Sequence, residues 1–137
     1  MTDEDAYNEL SLYTLAHASP EFIHQYIVDA YAAQHADADS KPVYLAFALA
    51  GLYLHNEKGC SGKEVQNAHR ELAKHKERLP HFTAPEYRGD MTVHDVLKVA
   101  PGAERDQAIR EWSASVWRAY EKSRTQVAAW VDAELHR

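Results

Sequence analysis

Val43-Tyr44-Leu45-Ala46-Phe47-Ala48-Leu49-Ala50-Gly51-Leu52-Tyr53-Leu54-His55-Asn56-Glu57 is the stretch on which the fold turns. It is apolar at almost every position as far as Leu54, so a helix built from it has no face for water and belongs in the middle of a core. On its N-terminal side, Ala36-Asp37-Ala38-Asp39-Ser40-Lys41-Pro42 is polar and helix-terminating, which makes a short connection. On its C-terminal side, Lys58-Gly59 ends the helix and Ser61 caps the next, with Glu64 three residues on completing a capping box.

Working outward, every flanking segment also reads as helix. Asp3 to about Ala18 repeats Tyr7, Leu10, Tyr13 or Thr14, and His17 at three-to-four spacing, with acids in the first turn where the dipole favours them. Ser19-Pro20-Glu21-Phe22 opens a second helix running to about His35, with Ser19 as cap and Pro20 at the first helical position. The fourth helix turns Val65, Ala68, His69, Leu72 and Lys76 inward until Pro80 stops it. Residues 79–91 hold two prolines and a glycine without periodicity and form a lid or rim. Thr92 with Asp95 opens a short fifth helix through Leu97, and after Pro101-Gly102 the last helix runs from about Glu104 towards Leu135.

The expectation is an all-α chain, residues 1–137 forming one compact bundle of five or six helices with a long C-terminal helix. At 1.5 Å per residue that last helix would be about 45 Å long, against about 35–40 Å for the globule. It must bend, stop early or overhang. An overhang carrying Trp130 and Val131 would suit a homodimer interface.

The totals narrow the functional classes. Twenty-one acidic against fifteen basic residues give a net charge of −6, which repels phosphate backbones and anionic lipids and sets nucleic acid aside as a partner. Cys60 is the one cysteine, so no intramolecular disulfide framework or multi-cysteine zinc site exists, and a cytoplasmic, reducing compartment fits. The acidic start, Met1-Thr2-Asp3-Glu4-Asp5, is unlike a secretory signal, and no window approaches eighteen uninterrupted apolar residues, so no membrane span is expected.

Nine histidines supply the candidate chemistry, since imidazole both ligates metals and titrates near neutrality. His24, Val28, Tyr31 and His35 fall on one face of the second helix. His24 and His35 are about 16 Å apart along it and cannot share one ion. The short connection makes the second and third helices antiparallel neighbours, in a register that sets His24 level with His55 and His35 level with Tyr44. Glu21, His24 and His55 are then the candidate ligands of a divalent metal, because Glu21-x-x-His24 is a spacing used by carboxylate-bridged sites in helical bundles. Asp29, between Val28 and Ala30, is placed to orient an imidazole or act as a base, and Tyr31 and Gln34 can hydrogen-bond a ligand. No nucleophile, base and orienter can be assembled round Cys60, and the spacing of Lys58 to Lys63 is wrong for a phosphate loop.

The run Val28-Asp29-Ala30-Tyr31-Ala32-Ala33-Gln34-His35, preceded by His24 and followed by a helix ending Leu52-Tyr53-Leu54-His55-Asn56-Glu57-Lys58-Gly59, resembles an uncharacterised bacterial family, the domain of unknown function numbered 5946. Arg88-Gly89, Thr92-Val93, Asp95-Val96 and Ser115-Val116-Trp117 are similar to its later blocks. The resemblance implies a fold neighbourhood and no activity. Many members carry an N-terminal cysteine pair with the look of half a zinc site, and a histidine at the position of Ala48; this chain has neither.

Two functions follow as expectations. One is a small ligand- or metal-binding domain, or an enzyme acting on a small molecule, through a pocket between the second and third helices lined by His24, Asp29, Tyr31, Gln34, His35 and His55 and closed by residues 79–91. The other is a non-catalytic module whose aromatic last helix forms a homodimer or docks a partner.

Overall fold

A computed structural model describes residues 1–16 and 21–136. Seven α-helices account for most of them: α1 Asp3–Ala16, α2 His24–His35, α3 Pro42–Lys58, α4 Gly62–Ala73, α5 Val93–Leu97, α6 Ala103–Ala119 and α7 Arg124–Leu135. No strand occurs among the described residues, and the chain is an all-α bundle. No helix among them is long and apolar enough to cross a membrane. The expected roles of His17, Ala18, Ser19 and Pro20 lie outside the described residues.

The centre of the bundle is α3, which touches α2, α4, α6 and α7. Leu45, Ala46, Ala48, Leu49, Ala50, Leu52, Tyr53 and Leu54 are all buried on it. Its ends follow the local chemistry. Pro42 opens the first turn, and Gly59 takes a left-handed φ of 69° to close it, a conformation that costs a residue without Cβ little. The Ser61–Glu64 capping box starts α4: Ser61 N–H donates to Glu64 Oε1 at 3.0 Å, and Glu64 N–H to Ser61 Oγ at 3.2 Å.

Two helices are shorter than the periodicity suggests. α4 ends at Ala73 rather than near Pro80, because after Leu72 the inward positions fall to His75 and Lys76, which offer the core nothing. A single 3-10 turn, Lys76–Arg78, follows. The long C-terminal helix is two helices, broken at residues 120–123, which raises the helix count to seven. Tyr120 is buried and its hydroxyl donates to the Ala33 carbonyl of α2 at 2.7 Å. That anchor fixes the end of α6, and α7 returns to pack on α3 and α4. Trp130 and Val131 are buried inside the chain's own core, together with Val127.

Candidate functional site

Helix α2 carries most of the residues marked out by the sequence, and the structure sends them to four different places. His24 turns towards α1, where its Nδ1 lies 2.9 Å from Thr14 Oγ1. The threonine hydroxyl already donates to the Ser11 carbonyl, so the imidazole N–H is the donor in this pair. Burial pushes the His24 pKa down from its ordinary value.

His55 has Tyr26 as its partner, not His24: the rings stack at 3.6 Å with 22° between planes. The Tyr26 hydroxyl donates to the Cys60 carbonyl at 3.1 Å. Burial depresses the His55 pKa, opposed by a hydrogen bond to the Cys60 backbone. Glu21 is at the same end of the bundle, paired with Arg110. The three residues considered as metal ligands thus have separate partners. Among the described residues, no group of three or more His, Cys, Asp or Glu side chains stands together in a way that would hold a metal ion.

Tyr31 is sandwiched between Tyr7 of α1, with centroids 4.2 Å apart, and His35, 4.0 Å away. His35 closes α2 against the start of α1, its Nε2 3.1 Å from Asp3 Oδ2 and its Nδ1 3.0 Å from the Tyr31 carbonyl. His94 of α5 reaches the other Asp3 oxygen at 2.7 Å. Those two hydrogen bonds hold the Asp3 carboxyl below the usual aspartate range. One exposed carboxylate thereby ties three helices together.

Gln34 is a buried junction. Its amide nitrogen donates to the carbonyls of Met91, at 2.7 Å, and Arg88, at 3.0 Å, and its oxygen accepts from Trp112 Nε1 at 3.0 Å. Arg88 returns a bond to the Gln34 carbonyl at 3.0 Å. Gln34 and Arg88 therefore pin the 79–91 segment to the body. That segment borders two clefts of its own, one of 430 Å³ against the α2–α3 connection and one of 680 Å³ against the break between α6 and α7. Neither cleft has a buried acid in its wall.

Asp29 is different in kind. It is 4% exposed, the one ionisable side chain among the buried polar residues described. Its carboxyl lies directly over the Cα of Gly51, the single position of α3 without a side chain, where a Cβ would overlap it. Gln25, one turn earlier, donates to Oδ1 at 3.2 Å. Burial raises the Asp29 pKa well above the ordinary value, and the Gln25 bond opposes this only in part.

A cleft of 230 Å³ opens between α2, α3 and α4, with Asp29, Gln25 and His69 as its polar wall and Val28, Tyr44 and Phe47 among its apolar one. His69 Nε2 lies 2.8 Å from the Phe47 carbonyl and, facing an acceptor, must donate. That bond fixes the tautomer and leaves Nδ1 as the ring's acceptor. Its ring stacks on Phe47 at 5.4 Å, and burial lowers its pKa. The cleft therefore has a buried acid, an amide and an imidazole on an aromatic lining. Donor and acceptor are both present.

Of the six residues expected to line a pocket between the second and third helices, only Asp29 stands in the wall of this cleft, and the histidine of the cleft comes from α4. His24, Tyr31, Gln34, His35 and His55 do not line it. His69 is visible in the sequence only as one of several inward positions of the α4 stripe. Gln25 is signalled by its place four residues before Asp29, which puts the amide and the acid on one helical face.

No curated protein and no solved structure matches the chain. A family model does match, over residues 4–121, from the first turn of α1 to just past the end of α6. With most of its length and all of the cleft inside that span, the chain belongs to the family of unknown function DUF5946.

Proposed function

We propose that this chain is a small-molecule-binding domain whose ligand sits in the cleft between α2, α3 and α4. The observation that carries the reading is the Asp29 carboxyl: buried, hydrogen-bonded only through Oδ1, and part of the wall of an aromatic-lined cleft. A buried acid with one weak donor costs stability, and such local violations are concentrated where a side chain serves a ligand. The 230 Å³ volume is below the ~300–1,000 Å³ of drug-sized sites, which points to a ligand of about one ring. A net charge of −6 argues against polyanions. A cytoplasmic setting suits the lone Cys60, whose thiol burial holds in its protonated form.

The test is an NMR titration with benzyl alcohol, a neutral single-ring probe. Amide shifts should cluster at Val28, Ala32, Phe47 and His69, and Ala32→Trp, which fills the mouth, should abolish them. Shifts confined to residues 83–87 and 118–123 would move the site to the larger cleft and overturn the reading.

A further inference from the structure

Five other acids have a strong side-chain donor. Glu21 has Arg110, Glu134 has Arg78, Asp132 has the Tyr53 hydroxyl at 2.8 Å, Asp106 has the Tyr13 hydroxyl at 2.7 Å and Glu57 has the Trp117 indole at 2.7 Å. Asp29 is the most deeply buried acid described, and it has a single neutral amide at 3.2 Å. No lysine or arginine lines its cleft. The ionisable groups that face it or share the cleft are Tyr7 of α1, Tyr44 of α3 and His69 of α4, and none is a permanent cation. Among the described residues, none that lines the cleft supplies Asp29 with a permanent counter-charge.

The rest of the cleft is suited to supplying one from outside. Tyr44 and the stacked rings of Phe47 and His69 present aromatic surface beside the acid. A carboxylate flanked by π faces is the arrangement that holds an organic ammonium, through ion pairing at one end and cation–π attraction round it. An anionic ligand would meet a buried acid and no basic group. A neutral alcohol would gain one hydrogen bond and leave the aromatic faces without a charge to attract.

We propose, resting on the cleft being the binding site, that its ligand class is a small primary amine with an apolar or aromatic body, held as an ammonium–carboxylate pair with Asp29. The proton balance is explicit. The amine arrives as the ammonium ion, the form in which it exists near neutrality; any proton that burial holds on the Asp29 carboxyl leaves to solvent; and the pair forms with no bond made or broken in the ligand.

Isothermal titration with benzylamine, benzyl alcohol and benzoate tests this. Benzylamine should bind about tenfold or more tighter than benzyl alcohol, and benzoate should not bind. Asp29→Asn should bring the amine down to the level of the alcohol. Equal affinity for amine and alcohol, or an undiminished amine preference in Asp29→Asn, would each overturn the inference; alcohol binding would leave the cleft standing as a site. Failure of all three probes to bind would remove both. The comparison of amine with alcohol needs only the wild-type chain, so a poorly folding variant does not block the decision.

Discussion

The Asp29 carboxyl packs against the bare Cα of Gly51, so α2 and α3 approach each other at the one point of α3 that has no side chain. In an isolated helix, Gly51→Ala would stabilise by about 1 kcal/mol. Here the methyl group collides with the carboxyl, and the substitution should cost about 1–3 kcal/mol by urea denaturation. Asp29→Ala in the same chain should relieve the cost. A double-mutant cycle showing simple additivity would mean that the two residues do not share the space.

Burial raises the pKa of the folded Asp29 carboxyl well above the 3.8 of a free aspartate. Between those two values the folded chain binds a proton that the unfolded chain has lost. Its contribution is therefore complete below the unfolded value and disappears as the pH rises through the folded one. Asp29→Asn removes this dependence, so the melting temperature of the variant should gain on the wild type as the pH rises above about 4. Melting temperatures that run parallel as the pH rises would contradict a carboxyl whose pKa burial has raised.

His24, His55 and His69 have pKa values lowered from 6.5, each chiefly by burial. The sign is opposite to that of Asp29. The unfolded chain takes up protons first, so the stability these imidazoles confer is present above about pH 6.5 and is lost as the pH falls through their folded values. Chemical denaturation at descending pH should show the midpoint falling below that point while carboxylates are still ionised. A midpoint unchanged down to about pH 5 would show that the three rings are not sequestered.

Gln34 satisfies two carbonyls and one indole at once. Gln34→Leu preserves bulk and orphans all three partners, at a cost of about 3 kcal/mol or more. The loss should be local in its signature: amide hydrogen exchange should accelerate in residues 79–92 before the rest of the bundle, and Trp112 emission should shift. Uniform acceleration across all helices would assign Gln34 to general packing instead.

The sequence exposes α3 because Val43 to Leu54 is apolar without regard to period, a signal that tertiary context cannot reverse. It exposes the start of α4 because Ser61 and Glu64 satisfy each other's backbone locally. The break at residues 120–123 is hidden, since Tyr120-Glu121-Lys122-Ser123 contains neither proline nor glycine, and what stops α6 is a bond from Tyr120 to Ala33, 87 residues away. Of the site, Asp29 is legible as an acid between Val28 and Ala30. The partner of His55 is not, because a shift of two positions in the α2–α3 register exchanges His24 for Tyr26. His69 enters the cleft through the packing of α4, which one-dimensional periodicity leaves open.

Helix α3 is a wall shared by α2, α4, α6 and α7. Phe47 and Ala48 face the cleft from one stretch of it, and farther along, Tyr53 stands 6.2 Å from the ring of Trp117 while Glu57 accepts that indole's proton at 2.7 Å. A displacement of this rod would also disturb the indole at its far end. The chain thereby carries a gauge of movement in α3 that needs no label, in the emission of its tryptophans.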